Sequence, residues 1–247
     1  MNILAFPSAR RALFAALLVS PLAAVAAPGP AALPVVETLD STEARVQGCV
    51  TCHEQGGRGA ASGTYPRIAG KPSGYLYNQL AAFRDGTRRY PPMNYLLAYM
   101  PDAYLHEIAE HFAQERPPFA SAEAATASSS TLERGRMIAT QGDFHTGVPP
   151  CVACHGDRLT GREPTIPGLV GLRAPYVVAQ LARWRTGDRR AAAPDCMKRV
   201  ADRLGNDDTE AVAAWLATQP APKNPLPDPM EVDRMPYACG ATAGASK

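Results

Sequence analysis

Cys49-Val50-Thr51-Cys52-His53 decides the reading of this chain, and Cys151-Val152-Ala153-Cys154-His155 repeats it in the second half. Cys-x-x-Cys-His is the spacing of c-type haem attachment. Two thiols form thioethers to the haem vinyl groups, and the next residue sets an imidazole under the iron. A thioredoxin-like redox pair needs a βαβ context, and the flanking sequence carries none. A zinc site would draw the two Cys pairs together, whereas each pair already has its own histidine. Two covalently bound haem c groups are expected, on Cys49, Cys52 and His53 and on Cys151, Cys154 and His155.

Outward from the motifs, the repeat continues. Tyr65-Pro66-Arg67-Ile68-Ala69-Gly70 lies over Ile166-Pro167-Gly168-Leu169-Val170-Gly171. Tyr75, Gln79, Leu80, Arg84, Gly86, Arg88 and Arg89 recur as Tyr176, Gln180, Leu181, Arg185, Gly187, Arg189 and Arg190, and Phe83 is answered by Trp184. The chain is a tandem duplication of a domain of about 100 residues.

Each half carries the same order of elements. A helix runs into the motif (40–50 and 131–141), with Ser41 or the Ser128–Ser130 run as N-caps and Glu43 or Glu133 in the first turn. Another spans 73–85 and 174–186, with Leu76, Leu80 and Phe83, or Val177, Leu181 and Trp184, at helical spacing. Gly86 and Gly187 stop it. A last helix covers 102–115 and 207–218, on the stripes Leu105, Ile108, Ala109, Phe112 and Ala211, Val212, Trp215, Leu216. No useful period-2 alternation is present, so the fold class is all-α with long loops.

The domains expected are 36–116 and 131–218, joined by an Arg116-Pro117-Pro118 and Ala/Ser-rich linker (117–130) with little to bury. A Pro-rich tail (219–247) lies extended over domain 2. Residues 1–27 read as a secretory signal: Arg10 and Arg11, an apolar run from Ala12 to Ala27, and small residues at Ala24-Val25-Ala26. That run is shorter than the roughly 20 residues a spanning helix needs. The mature protein is expected in the periplasm, not itself transmembrane after cleavage. The 247 residues hold 25 basic and 23 acidic side chains. Loss of Arg10 and Arg11 leaves 23 of each, and without a basic excess a nucleic-acid partner is excluded.

A six-coordinate c-type iron takes a second axial ligand, commonly Met. The repeat aligns Met93 with Met197, so His53 with Met93 and His155 with Met197 are the candidate metal ligands. Met100 and Met137 read as core, and Met230 and Met235 lie in the tail without counterparts. His106, His111 and His145 read as surface or core-edge residues. The recurrent arginines are either solvated helix ends or partners of haem propionates. Tyr75 and Tyr176 either donate to a propionate or pack, and Pro66 and Pro167 shape the loop beside the proximal histidine.

The two motifs, the Pro-x-x-x-Gly loops, the Tyr-x-x-x-Gln-Leu helices ending in Arg-x-Gly-x-Arg-Arg, and the late Met residues resemble the cytochrome c4 family, over residues 40 to 218. The resemblance implies two tandem class I cytochrome c domains in a pseudo-twofold arrangement, with the haems close across the interface. Two departures stand out. Glu54 replaces the glycine that usually follows the motif histidine, which predicts a more polar first haem edge. Cys196 precedes Met197, where proline is usual. Cys196 and Cys239 either pair in an oxidising compartment, or Cys196 is a thiolate ligand as in dihaem thiosulfate dehydrogenases.

The expected function is one-electron transfer between a respiratory donor complex or dehydrogenase and a terminal oxidase or other acceptor. No catalytic residue is assigned, because two six-coordinate irons leave no open position. The partners are redox proteins, docking weakly and transiently, among them a membrane-bound oxidase or dehydrogenase. Two rivals remain: a dihaem enzyme oxidising a small sulfur anion, and the cytochrome subunit of a dehydrogenase complex.

Overall fold

The structure, a computed structural model, describes residues 41–231 and 235–242. The secretory-signal reading lies outside the described residues. In the first half α1 (Thr42–Arg45) and α2 (Gln47–His53) meet at buried Val46, followed by α3 (Ser73–Arg84), α4 (Pro91–Leu97) and α5 (Asp102–Gln114). The second half holds α6 (Ser129–Gln141), α7 (Cys151–His155), β1 (Gly161–Arg162), β2 (Ile166–Pro167), α8 (Ala174–Thr186), α9 (Cys196–Arg203) and α10 (Asn206–Ala217). Among the described residues the architecture is all-α apart from the two-residue β1–β2 pairing, which is too short to leave a period in the sequence.

The caps explain where the helices begin and end. Ser41 Oγ accepts from the Ala44 amide and Ser128 Oγ from the Thr131 amide. Because Ser128 is the cap, α6 begins two residues before the expected start, and Glu133 falls outside its first turn. Gly86 and Gly187 take φ of 74° and 81° just past α3 and α8, where a side chain would be strained. α4 and α9 were not legible as helices. Both are short, α4 opens on a proline pair, and α9 depends on Asp195 accepting from the Lys198 amide.

Each half has its own core. Val46, Leu76, Ile108, Ala109 and Phe112 form one cluster in the first, beside Phe83, Leu97 and Leu105. Ile138, Leu181, Trp184, Val212 and Leu216 centre the larger one in the second. Phe119 of the linker packs on that second core and under the Arg67 guanidinium, 4.1 Å away, so the linker buries more than its composition suggests.

α6 crosses α10 at Gly135. A Cβ there would strike the Ala211 carbonyl oxygen and lie 2.9 Å from the Trp215 Cβ. Gly135→Ala should therefore push two helices apart. Overpacking of this kind costs about 1–3 kcal/mol, and backbone on one side of the clash favours the upper end. A lower thermal midpoint with both haems retained is the expected result. An unchanged midpoint would mean that the two helices part at no cost to admit the methyl group.

The halves join through their paired Arg-x-Gly-x-Arg-Arg segments. Arg88 and Arg189 face each other as an antiparallel bridge. The Arg89 amide donates to the Asp188 carbonyl (2.6 Å), and the Arg190 amide to the Thr87 carbonyl (3.1 Å). The tail then wraps the second half. Asp228 bridges to Arg162 beside the β hairpin, Tyr237 OH donates to the Gly147 carbonyl (2.8 Å), and Cys239 forms a disulfide with Cys196.

Candidate haem-binding sites

A continuous cavity of about 1400 Å³ opens between the two halves. That exceeds the roughly 300–1,000 Å³ of a single-ligand pocket. Its wall includes Cys49, Cys52 and His53 from α2 and Cys151, Cys154 and His155 from α7. These four cysteines form no disulfide. Burial pushes the Cys49 thiol up to about 11, Cys151 to about 12 and Cys154 to about 11.

Both motif histidines are held the same way. His53 Nδ1 donates to the Pro66 carbonyl (2.9 Å) and His155 Nδ1 to the Pro167 carbonyl (2.8 Å). This fixes the tautomer and leaves Nε2 with a free lone pair, the usual outer-sphere device behind a metal-binding histidine. Burial lowers the pKa of both, His155 to about 4, so each imidazole is neutral at pH 7. The two prolines thus shape the proximal loop through their carbonyls.

Met93 on α4 and Met197 on α9 line the same cavity. Met100 packs into the first-half cores instead. Met235, which has no counterpart in the repeat, does reach the cavity wall, together with Tyr237 of the same tail. No sequence signal marks it, because it has no counterpart in the repeat and long-range contacts of the tail, the disulfide among them, carry it there. His106 stacks on Tyr77 at 3.8 Å, His111 lies 3.7 Å from Glu115, and His145 is exposed; none lines the cavity. Glu54 points away to Arg58 (2.6 Å) and is likewise off the wall, so it does not make the first cavity more acidic. It holds φ of 61°, a strained value for a side chain.

The recurrent arginines divide. Arg84 pairs with Asp85 and Asp102, and Arg185 donates to Asn206. Arg88 and Arg189 are buried at 7% and 5% exposure. Arg88 donates to Gln79, Gln180 and Tyr176, and Arg189 to Gln180, Gln79 and Tyr75, at 2.8–3.2 Å. All these acceptors are neutral, so two guanidinium charges meet in the interior without a carboxylate. Trp184 Nε1 and Thr165 Oγ1 also line the cavity, buried and without a partner. Unpaired thiols, pre-set imidazoles, two thioethers, and cations and donors awaiting anionic oxygens match a haem with its propionates. The donor set therefore fits two such groups. Among the described residues no cluster of three His, Cys, Asp or Glu is placed to hold a bare metal ion.

No family model matches the chain. It is 36% identical over 172 residues to a thiosulfate dehydrogenase electron acceptor from Thiomonas intermedia, covering 70% of this chain and 78% of that protein. It is 30% identical over 176 residues to a cytochrome c4 from Pseudomonas aeruginosa, covering 70% of this chain and 85% of the relative. The chain belongs to the cytochrome c4 family. A crystal structure of reduced cytochrome c4 from Pseudomonas stutzeri superposes with a TM-score of 0.63 at 26% identity, covering 72% of this chain and 96% of that one. A thiosulfate dehydrogenase from Marichromatium purpuratum superposes with the same score at 31% identity. It is matched over 70% of this chain but only 36% of its own length. As a cytochrome c4 relative the chain has two tandem class I cytochrome c domains, carries two covalently bound haem c groups and transfers electrons.

Proposed function

We propose that the protein is a periplasmic electron acceptor for a dehydrogenase that oxidises a small sulfur anion, handing single electrons on to a terminal oxidase. In this reading residues 1–27 direct export, 36–116 and 131–218 are the haem domains, and His53 with Met93 and His155 with Met197 are the axial pairs. Bound haem supplies a one-electron iron couple at each site. The chain's own part is to orient the imidazoles through Pro66 and Pro167, hold the methionines on α4 and α9, and keep water from the cavity. Arg88 and Arg189, buried on the cavity wall, would supply the positive charge that haem propionates need.

The observation that carries the carrier reading over the enzyme reading is the Cys196–Cys239 disulfide. It occupies the one spare sulfur beside Met197 that could have replaced a thioether with a thiolate. Relatives named as thiosulfate dehydrogenase electron acceptors favour thiosulfate as the donor enzyme's substrate. Docking is weak and transient, as for other redox encounters. Among the described residues no helix is long and apolar enough to cross a membrane, consistent with a partner met from the periplasm.

The test is reduction of the ferric holoprotein by thiosulfate, followed in the haem bands. No reduction is expected until a thiosulfate dehydrogenase is added, and then both haems should be reduced. Reduction by thiosulfate alone would make the protein the enzyme itself.

A further inference from the structure

Some of the charges around the cavity are matched between the halves and others belong to one half alone. Arg88 mirrors Arg189, both buried on the cavity wall and facing each other across the domain boundary. Lys71 has no such mirror, because the repeat sets Leu172 in the corresponding place. Lys71 is 8% exposed and lines the cavity. Its ammonium leaves its own domain and donates to the Gly168 carbonyl at 2.8 Å. Gly168 follows Pro167, whose carbonyl holds His155. A buried positive charge therefore stands one residue along the chain from the carbonyl that holds the second proximal histidine. Arg67, also buried and also without a charged counterpart because the repeat sets Gly168 there, turns its charge to the Pro117 and Pro118 carbonyls of the linker.

Burial lowers the Lys71 pKa to about 8, with Arg67 and Arg189 acting in the same direction and Tyr176 against them. The group is therefore mostly charged at neutral pH. A nearby cation favours the ferrous state, which carries one positive charge fewer than the ferric. The second site is also the more enclosed, since Met235, Tyr237 and Cys239 of the tail close its side of the wall. In the first half, by contrast, Tyr95 and Leu96 on α4 are 87% and 40% exposed.

We propose that Lys71 is the tuning residue that makes the two haem sites unequal, its buried ammonium raising the reduction potential of the second site relative to the first. An electron delivered to the first domain then runs downhill to the second, so the direction of internal transfer is built into a cross-domain hydrogen bond. This rests on the reading of His155 as the ligand of a second haem. Unit charges about 10 Å apart at an effective dielectric of about 20 change an equilibrium roughly tenfold. For a one-electron couple that is about 59 mV.

The experiment is spectropotentiometric titration of the purified holoprotein, with haem content measured first and the second-site wave identified by its shift in Met197→His. Lys71→Gln keeps an amide donor for the Gly168 carbonyl but loses the charge, Lys71→Met loses both, and Lys71→Arg keeps the charge. The second wave should fall by the equivalent of about tenfold in the Gln and Met variants, with the first wave unmoved and the Arg variant near wild type. A fall in the Met variant alone would make Lys71 a structural tie and overturn the proposal. So would equal movement of both waves, or movement of neither. Haem content other than two per chain would instead overturn the dihaem reading, and this inference with it.

Discussion

Cys151→Ser with Cys154→Ser should yield a chain that carries one covalent haem instead of two and whose second half is readily digested by protease. Both thiols lie on the wall of a cavity of about 1400 Å³ shared between the halves. An unfilled cavity costs about 24 cal/mol per Å³, so even a few hundred Å³ left empty costs several kcal/mol. That is comparable with the whole stability of a domain, about 5–15 kcal/mol. The second core, with Leu181, Trp184 and Leu216 around the cavity, therefore has to collapse or open. The first half keeps its own cores around Phe112 and Leu105 and should survive as a haem-bearing fragment. Haem content per chain and limited proteolysis measure both effects. Two haems in the double variant would remove Cys151 and Cys154 from the attachment site.

Met93→Ala and Met197→Ala should each abolish half of the weak near-infrared sulfur-to-iron band of the ferric protein, and the pair together all of it. Each change also leaves an iron open to carbon monoxide in the ferrous state. The potential of the affected site should fall by roughly 0.1 V or more, a fraction of the about 0.8 V that axial ligands span. Met sulfur favours the reduced iron, and water admitted in its place favours the oxidised one. Met100→Ala serves as the control, because Met100 is packed in the first-half core away from the cavity wall. For the second site Met235→Ala is the sharper comparison, since Met235 reaches the cavity. Half the band lost in Met235→Ala and none in Met197→Ala would hand the ligand position to the tail.

The α3, α5, α8 and α10 helices were legible because each buries one stripe at 3.6-residue period, and their boundaries fall within a residue or two of those expected. The short helices carrying Met93 and Met197 were not, although the repeat singled out both methionines, which line the cavity. The repeat aligned the residues, while a helix of seven or eight residues opened by prolines or an aspartate has no periodicity to read. The β hairpin escaped for the same reason. Glu54 was noticed as the residue in a glycine's place. Only the backbone shows that it bears strain and turns its carboxylate to Arg58, off the cavity wall.

Local covalent pattern and internal duplication were enough to determine from sequence that this is an all-α chain with two c-type haem motifs, one in each half. Such features rest on residues near one another in the chain, or on a repeat that counts for itself. The tertiary structure alone decided which cations meet in the interior, that Arg88 and Arg189 swap partners across the domain boundary, that Lys71 reaches the Gly168 carbonyl, and that the tail brings Met235 to the cavity wall. Those contacts join residues tens to more than a hundred positions apart. They depend on how two separately formed helical layers dock, and burial, which gives each of those charges its strength, has no signature in the order of the residues.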